Sequence, residues 1–301
     1  MSAATNPNEL LKPENIAKFG SLDLKARLIV EGFIAGLHKS PYHGFSVEFS
    51  QFRRYQPGDA PKHIDWKLFG KTDKLFVKEY KDETNLRAYI VLDQSLSMDF
   101  KYASGISKLE YCKHLAAAFT HLILRQQDGV GLIQISDSVK SIIRPRAVPA
   151  QRTILLKAIQ NIKAGGKTNL SQAFHAVNDE IKKRSLLVIL SDMFDDPDKL
   201  VSGLKHFRYS GHEVIVFHIL DKAEVDLKIG EGDRLIDMES GEIFKCDPQL
   251  IQKEYAGRLL EWRSRIQKEC LNNLIDYYFL DTNTPFDLGL LSFLQKRKLY
   301  Y

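Results

Sequence analysis

The amino-acid sequence predicts an α/β fold in which a mostly parallel sheet is covered by helices on both faces. From residue 86 onwards, short apolar runs alternate with segments of helical periodicity. The runs at residues 186–190 and 213–220 are continuous enough to be strands that are buried on both sides. Strands that alternate with helices indicate parallel pairing through crossover helices. We therefore predict a doubly wound domain over residues 85–301.

The individual elements follow from periodicity and from start and stop signals. Ser107, with Glu110 three residues later, forms a helix-capping box, and Pro285 suits the first position of a terminal helix. Predicted helices cover residues 24–37, 152–162, 171–183, 197–209 and 249–272, besides those that begin at Ser107 and Thr284. Predicted strands cover residues 88–92, 129–136, 186–190, 213–220 and 274–280, and a hairpin covers residues 235–245.

Residues 1–84 lack the regular alternation of apolar runs and helical segments, and they are predicted to form an N-terminal extension that is partly helical and partly rich in β-structure. Residues 24–37 have helical spacing. Strand-like runs at residues 45–52 and 75–80 then flank a polar, turn-rich centre. The sequence leaves open whether this second part forms a separate small β unit or extends the main sheet.

Composition indicates a soluble globular protein in a reducing compartment. The 301 residues carry a formal net charge of +5, and basic and acidic side chains are interleaved, which favours a mixed solvated surface over a nucleic-acid-binding patch. The three cysteines form no CxxC pair, which argues against a disulfide framework or a zinc site. No apolar run approaches the ~18 residues of a membrane span, and no signal-peptide core is present. We therefore expect a cytoplasmic protein without membrane insertion.

Three polar clusters lie where the parallel strands should end. They contribute hydroxyl and carboxylate oxygens from Asp93, Ser95, Ser97, Thr168 and Asp192. Ligands of doubly wound sheets bind beyond the carboxyl ends of the strands, and hard oxygen donors suit Mg²⁺ better than zinc. We therefore predict a site for Mg²⁺, or for another divalent cation such as Mn²⁺ or Ca²⁺. Each cluster taken alone could instead serve as a turn or a helix cap.

The pattern Asp-x-Ser-x-Ser, followed by a distant Thr and a distant Asp, resembles the metal-ion-dependent adhesion site of von Willebrand factor A domains. This resemblance implies a fold of von Willebrand factor A type, in which Ser95, Ser97 and Thr168 coordinate the ion directly. It also implies that Asp93 and Asp192 act either directly or through water. An open coordination position could then accept an acidic side chain of a partner protein.

A second pattern lies upstream of the cation motif. It reads Glu-Phe-Ser-Gln-Phe-Arg-Arg-Tyr-Gln-Pro-Gly-Asp at residues 48–59 and Ile-Asp-Trp-Lys at residues 64–67. Together with Asp-x-Ser-x-Ser-Met at residues 93–98, it resembles the bacterial family catalogued as domain of unknown function fifty-eight. These are von Willebrand factor A-like proteins that are usually encoded beside MoxR-type AAA+ ATPases. The resemblance covers essentially the whole chain. It implies a MoxR-type ATPase, or a client of that ATPase, as partner, and it suggests the branch without N-terminal membrane helices.

These features favour a non-enzymatic interaction module, an adaptor or co-chaperone that docks a partner's carboxylate on a bound Mg²⁺ ion. The alternative is a metal-dependent hydrolase or nuclease, because Asp65, Glu79 and Lys81 loosely resemble a nuclease pattern. No GxxxxGK[ST] motif is present, so the Gly-Lys-Thr tripeptide at residues 166–168 is assigned to the cation-site turn. The role of residues 54–66 stays open between a structural network and a partner surface.

Overall fold

The chain forms two compact units. The computed structural model describes residues 11–39, 52–55, 66, 69–70, 74–78, 86–227, 234–245 and 248–298. One unit combines Met1–Lys39 with Leu86–Tyr301, and the other is Ser40–Asn85. The larger unit contains the predicted α/β domain.

Strands and helices alternate along the larger unit, as the apolar runs of the sequence predict. The helices are α1 (Pro13–Ala17), α2 (Leu22–Lys39), α3 (Lys108–Arg125), α4 (Pro149–Asn161), α5 (Leu170–Glu180), α6 (Pro197–Tyr209), α7 (Lys222–Asp226), α8 (Pro248–Asn272) and α9 (Phe286–Lys298). Its strands are β3 (Arg87–Asp93), β4 (Gly129–Ile135), β5 (Val139–Arg146), β6 (Leu186–Ser191), β7 (Glu213–Leu220), β8 (Arg234–Ile236), β9 (Ile243–Lys245) and β10 (Asp276–Asp281), whereas β1 (Phe52–Arg54) and β2 (Phe76–Lys78) belong to the smaller unit. Among the described residues, no helix is both long and apolar enough to cross a membrane.

Six strands of the larger unit form one sheet in the order β10-β7-β6-β3-β4-β5. Each neighbouring pair is parallel except β4 and β5, which are antiparallel. Strands β3 and β6 lie side by side in the middle, and the chain proceeds from them in opposite directions across the sheet. Ligands of such sheets bind at this reversal, beyond the carboxyl ends of the strands. The predicted doubly wound, mostly parallel fold of von Willebrand factor A type is confirmed.

Helices cover both faces of the sheet. Tyr89 and Val91 of β3 belong to the apolar cluster that the sheet forms with α5, α6 and α8. Alternate side chains point to the opposite face, where Phe119 of α3 lies 5.3 Å from Phe217 of β7 and 5.0 Å from Phe293 of α9, measured between ring centroids. Because the central strands are buried on both sides, the ends of β3 and β6 are held in fixed positions.

The N-terminal helix α2 packs against the α/β body. Arg152 of α4 donates hydrogen bonds to both carboxylate oxygens of Asp23, at 2.9 and 2.6 Å. Nζ of Lys25 lies 3.3 Å from Nε2 of His114 on α3. The sequence-based division assigned this helix to an extension of residues 1–84, whereas in the structure it belongs with the α/β body.

Residues 40–85 form the second unit, in which β1 and β2 pair antiparallel as a sheet of their own. The side chain of Trp66 is 61% exposed, and its ring meets that of Phe69 edge-on at 6.1 Å. Most of the upstream pattern lies outside the described residues. The acidic and basic residues of the nuclease alternative, Asp65, Glu79 and Lys81, also lie outside them.

Strand β5 and helix α7 are among the elements of the larger unit that were not predicted from the sequence. Strand β5 is an edge strand with half-exposed side chains and contains Pro145, which lacks the N–H that an inner strand would need. Helix α7 has five residues and begins with a reciprocal capping box between Asp221 and Glu224. Neither element has the apolar periodicity on which the prediction depended.

Candidate metal centre

The predicted cation residues lie at the reversal point of the sheet, on three loops. Asp93 is the last residue of β3, and Ser95 and Ser97 belong to the turn that follows. Asp192 comes directly after β6, the neighbouring strand. Thr168 lies between α4 and α5, just before the latter helix begins.

The Asp93 carboxylate joins the first loop to the end of β6. Its Oδ1 accepts a hydrogen bond of 2.9 Å from the Ser95 N–H, and its Oδ2 accepts one of 2.7 Å from the Ser191 hydroxyl. The same Ser191 Oγ accepts a hydrogen bond of 2.9 Å from the Met193 N–H. All four of these residues have no solvent exposure, so the carboxylate is held in one orientation.

Backbone hydrogen bonds bring the Thr168 loop against the first loop. Gly165 donates to the Gln94 carbonyl at 2.8 Å, and Leu96 donates to the Gly166 carbonyl at 3.1 Å. Gly166 has a φ of +87°, and a Cβ at this position would lie 2.9 Å from Oγ of Ser136. Glycine is therefore required here for both its conformation and its small size.

The hydroxyl groups of the site are partly in contact with one another. Oγ of Ser95 lies 3.1 Å from Oγ of Ser97, so the two hydroxyls face the same point. Ser95 is buried, whereas Ser97 and Thr168 are half-buried and open toward the surface. The Thr168 hydroxyl donates to Oε1 of Glu239, and its N–H donates to Oε2 of the same carboxylate at 3.0 Å.

A buried lysine lies beside the predicted residues. Lys108 donates to Oδ2 of Asp192 at 2.8 Å and to Oε1 of Glu224 at 2.6 Å. The side chains of Lys108 and Asp192 have no solvent exposure. Burial by itself would lower the pKa of Lys108, but the charges of Asp192 and Glu224 outweigh it and raise that pKa to about 12. The ammonium group therefore stays charged in the interior.

The site contains three carboxyl groups and one ammonium group. Burial, and next the charge of Asp192, raise the pKa of Asp93 to about 7. Lys108 forms ion pairs with Asp192 and Glu224. Two carboxylates in one buried place oppose each other's ionisation, and a bound cation would relieve that opposition.

The donor set suits a small, hard cation. It combines the hydroxyls of Ser95, Ser97 and Thr168 with two carboxylates, and such oxygen ligands match the preference of Mg²⁺. Among the described residues, no group of three or more His, Cys, Asp or Glu side chains is placed so that it could hold a metal ion. The Thr168 hydroxyl donates its proton to Glu239 and keeps its oxygen lone pairs, whereas Asp93 and Asp192 each accept hydrogen bonds on both oxygens.

Sequence reasoning predicted the five cation positions but missed the side chains that contact them. Lys108 is 84 residues from Asp192 in the chain, and Glu239 is 71 residues from Thr168. Lys108 is the first residue of a helix, a position where a lysine ordinarily faces solvent, so no local pattern marks it. Glu224 carries a signal that could have been used, since it stands three residues after Asp221 as in a capping box.

Comparison with known proteins gives relatives along most of the chain. A protein of Mycobacterium tuberculosis, Rv1480, itself uncharacterised, is 27% identical over 258 residues, which are 82% of this chain and 80% of the relative. Among solved structures, BatB from Bacteroides thetaiotaomicron has a TM-score of 0.48 at 15% identity and covers 72% of this chain and 100% of its own. The VWA domain of SpRpn10 has a TM-score of 0.36 at 10% identity and covers 68% of this chain and 92% of its own.

A family model matches residues 51–264, which include most of the small unit and all five predicted cation residues. That family is described as protein of unknown function DUF58. The match covers well over half of the chain and agrees with the resemblance seen in the upstream and Asp-x-Ser-x-Ser patterns. The chain therefore belongs to the DUF58 family.

Proposed function

We propose that the chain is a non-enzymatic, divalent-cation-dependent interaction module that docks an acidic side chain of a partner on a bound Mg²⁺ ion. One observation carries this proposal. The turn after β3 brings together the hydroxyls of Ser95 and Ser97, 3.1 Å apart, and the buried carboxylate of Asp93, which also accepts a hydrogen bond from Ser191 at the end of β6. The glycine loop that leads to Thr168 is hydrogen-bonded directly to that turn.

Each group has a distinct task in this proposal. Ser95, Ser97 and Thr168 would bind the ion through their hydroxyl oxygens, as the resemblance to von Willebrand factor A domains implies. Asp93 and Asp192 would support the ion through water. The ion, when bound, supplies positive charge to an open coordination position. Neutral hydroxyl ligands leave most of that charge available, so a carboxylate of the partner would be attracted to it.

The hydrogen bonds of the aspartates support a role in positioning the loops of the site. Asp93 uses both oxygens to accept from Ser95 and Ser191, and Asp192 accepts from Lys108 and from the Phe194 N–H at 3.3 Å. These carboxylates are suited to holding the three loops in place.

The partner that we propose is a MoxR-type AAA+ ATPase or a client of that ATPase, acted on in the cytoplasm. Its support is the resemblance of the upstream pattern to a family usually encoded beside such ATPases. The chain would then serve as adaptor or co-chaperone, and the loops around the cation would set its specificity.

The experiment is a binding assay between the purified full chain and a MoxR-type ATPase of the same organism, in Mg²⁺ and in EDTA. We expect binding in Mg²⁺, loss in EDTA, and loss in the Ser97→Ala variant. Asp179→Ala is the matched control, because Asp179 is exposed on α5 outside the site. Binding that is indifferent to EDTA and to Ser97→Ala would refute a metal-bridged contact. Metal-dependent turnover of a phosphoester or a nucleic acid would instead establish a hydrolase.

A further inference from the structure

An acidic side chain of the chain itself reaches the candidate metal centre. Glu239 lies in the turn between β8 and β9, and both of its carboxylate oxygens are occupied by Thr168. Oε1 accepts from the Thr168 hydroxyl, and Oε2 accepts from the Thr168 N–H at 3.0 Å. Thr168 is one of the proposed direct ligands, so this carboxylate stands where a partner's carboxylate would approach the ion.

The turn is built so that it presents Glu239 in a defined way. Oδ1 of Asp237 accepts from the N–H groups of Glu239 and Ser240, at 2.8 and 2.7 Å. Gly241 donates to the Asp237 carbonyl at 2.9 Å and has a φ of +73°, a conformation that favours glycine. The backbone N–H groups of Ser240 and Glu239 also hold the pKa of Asp237 below its ordinary value. The geometry of the turn is therefore fixed by its own hydrogen bonds.

The hairpin itself buries little of its apolar surface. The exposed fractions are 62% for Ile236, 40% for Met238, 56% for Ile243 and 54% for Phe244. Within the part of the chain that the structure describes, the hydrogen bonds of Glu239 to Thr168 are those that connect this hairpin to the α/β body. A hairpin attached mainly by one carboxylate can leave its position at low energetic cost.

We infer that the β8–β9 hairpin is a tethered ligand that occupies the docking position through Glu239 and that a partner's acidic residue must displace it. This inference rests on the proposed function, because it assigns a regulation to the same site. The chemistry of the tethered ligand also describes the partner: a glutamate or aspartate presented at the tip of a β-turn, able to take both donors of Thr168. Docking is then a competition between the carboxylate of Glu239 in this chain and a carboxylate of the partner protein.

The competition has a measurable consequence. If the site is open in only a fraction of the molecules, the apparent association constant for an external ligand equals the intrinsic constant multiplied by that fraction. If the hairpin is closed in nine molecules of ten, removal of Glu239 raises the affinity for an external acidic turn about tenfold. Glu242 is the matched control, because it lies on the same hairpin, is exposed, and is placed three residues from Glu239.

The test uses the full chain and a fluorescent synthetic peptide with the sequence of residues 234–245, added in trans with Mg²⁺. We expect Glu239→Ala to bind this peptide at least about tenfold more tightly than the parent chain and Glu242→Ala to bind it like the parent. A peptide with glutamine in place of Glu239, or the addition of EDTA, should abolish binding. Hydrogen exchange gives a second readout, in which residues 234–245 lose protection in Glu239→Ala but not in Glu242→Ala.

The outcomes separate the two proposals. Equal peptide affinities of Glu239→Ala and Glu242→Ala, with unchanged exchange of the hairpin, would overturn the tethered-ligand inference. If the parent then still binds Mn²⁺ and loses it in Ser97→Ala, the cation site survives that result. If the parent binds no divalent cation, both proposals fail together. Peptide binding that persists in EDTA would also overturn the inference, because the ligand would then not depend on the ion.

Discussion

Substitution of Lys108 by methionine provides a quantitative check on the electrostatics of the centre. The Lys108 ammonium lies 2.8 Å from Asp192 and 2.6 Å from Glu224, and the three side chains are 0%, 0% and 13% exposed. Methionine keeps most of the apolar stem and removes only the charge. The two carboxylates then stay in the interior without their cation.

The expected loss follows from two independent arguments. Removal of one partner from a buried ion pair typically destabilises a protein by about 3–5 kcal/mol. A carboxylate without its cation can instead take up a proton, which for a carboxyl of ordinary pKa costs about 4 kcal/mol at pH 7. The two values agree, so we expect Lys108→Met to lose about 4 kcal/mol of unfolding free energy at pH 7. The loss should shrink as the pH falls toward 5, because protonation becomes easier.

Urea unfolding followed by tryptophan fluorescence measures this loss. The chain has two tryptophans, and Trp66→Phe leaves Trp262 as the reporter of the α/β unit, where its ring stacks on Phe194 at 5.4 Å. Lys113→Met is the matched control on the same helix, since Lys113 pairs with the half-exposed Glu110 and should lose only about 0.2–1 kcal/mol. A loss below 1 kcal/mol in Lys108→Met, or one equal to that of the control, would refute the reasoning.

Two further predictions concern the glycine loop and the N-terminal helix. Gly166→Ala should lower the free energy of unfolding by at least about 1–2 kcal/mol and weaken Mn²⁺ binding, because the φ of +87° at Gly166 and the nearby Ser136 hydroxyl both oppose a Cβ. Gly165→Ala is the control, because a Cβ at Gly165 meets open space. Thermal unfolding of the two variants checks this, and equal melting temperatures would contradict it. Burial, and next the charge of Lys25, lower the pKa of His114 to about 4. The neutral imidazole therefore stabilises the folded state fully above pH 6.5, and this stabilisation is lost as the pH falls from 6.5 toward 4. Between pH 7.5 and 5 the parent should therefore lose about 2 kcal/mol more than His114→Gln, and parallel pH profiles of the two proteins would contradict the lowered pKa.

The sequence predicted the fold best where a single apolar pattern dominates. Strand β7 and helix α6 begin and end at the predicted residues, because a continuous apolar run and an Asp-Pro start mark them clearly. Strand β5 was missed because an edge strand needs no continuous apolar run. The place of helix α2 in the α/β body depends on contacts with residues more than 80 positions away, such as that between Lys25 and His114, and local periodicity does not contain them.

The same contrast holds for the candidate centre. Asp93 and Asp192 could be placed together because both directly follow parallel strands, whose carboxyl ends meet at one edge of the sheet. Lys108 and Glu239 could not be placed there, since each approaches from an element whose position depends on tertiary packing. Lys108 contacts Asp192 and Glu239 contacts Thr168, so the structure places two side chains against the predicted site that no local sequence pattern marks.

Direct titration with Mn²⁺, observed by electron paramagnetic resonance, tests the central claim that these loops hold a divalent cation. We expect about one bound Mn²⁺ per chain, displaced by Mg²⁺, with binding lost in Ser97→Ala and in Thr168→Val. Thr168→Ser, which keeps the hydroxyl, should bind like the parent, and so should the surface control Asp179→Ala. Absence of bound Mn²⁺ in the parent, or unchanged binding in Ser97→Ala and Thr168→Val, would contradict the account.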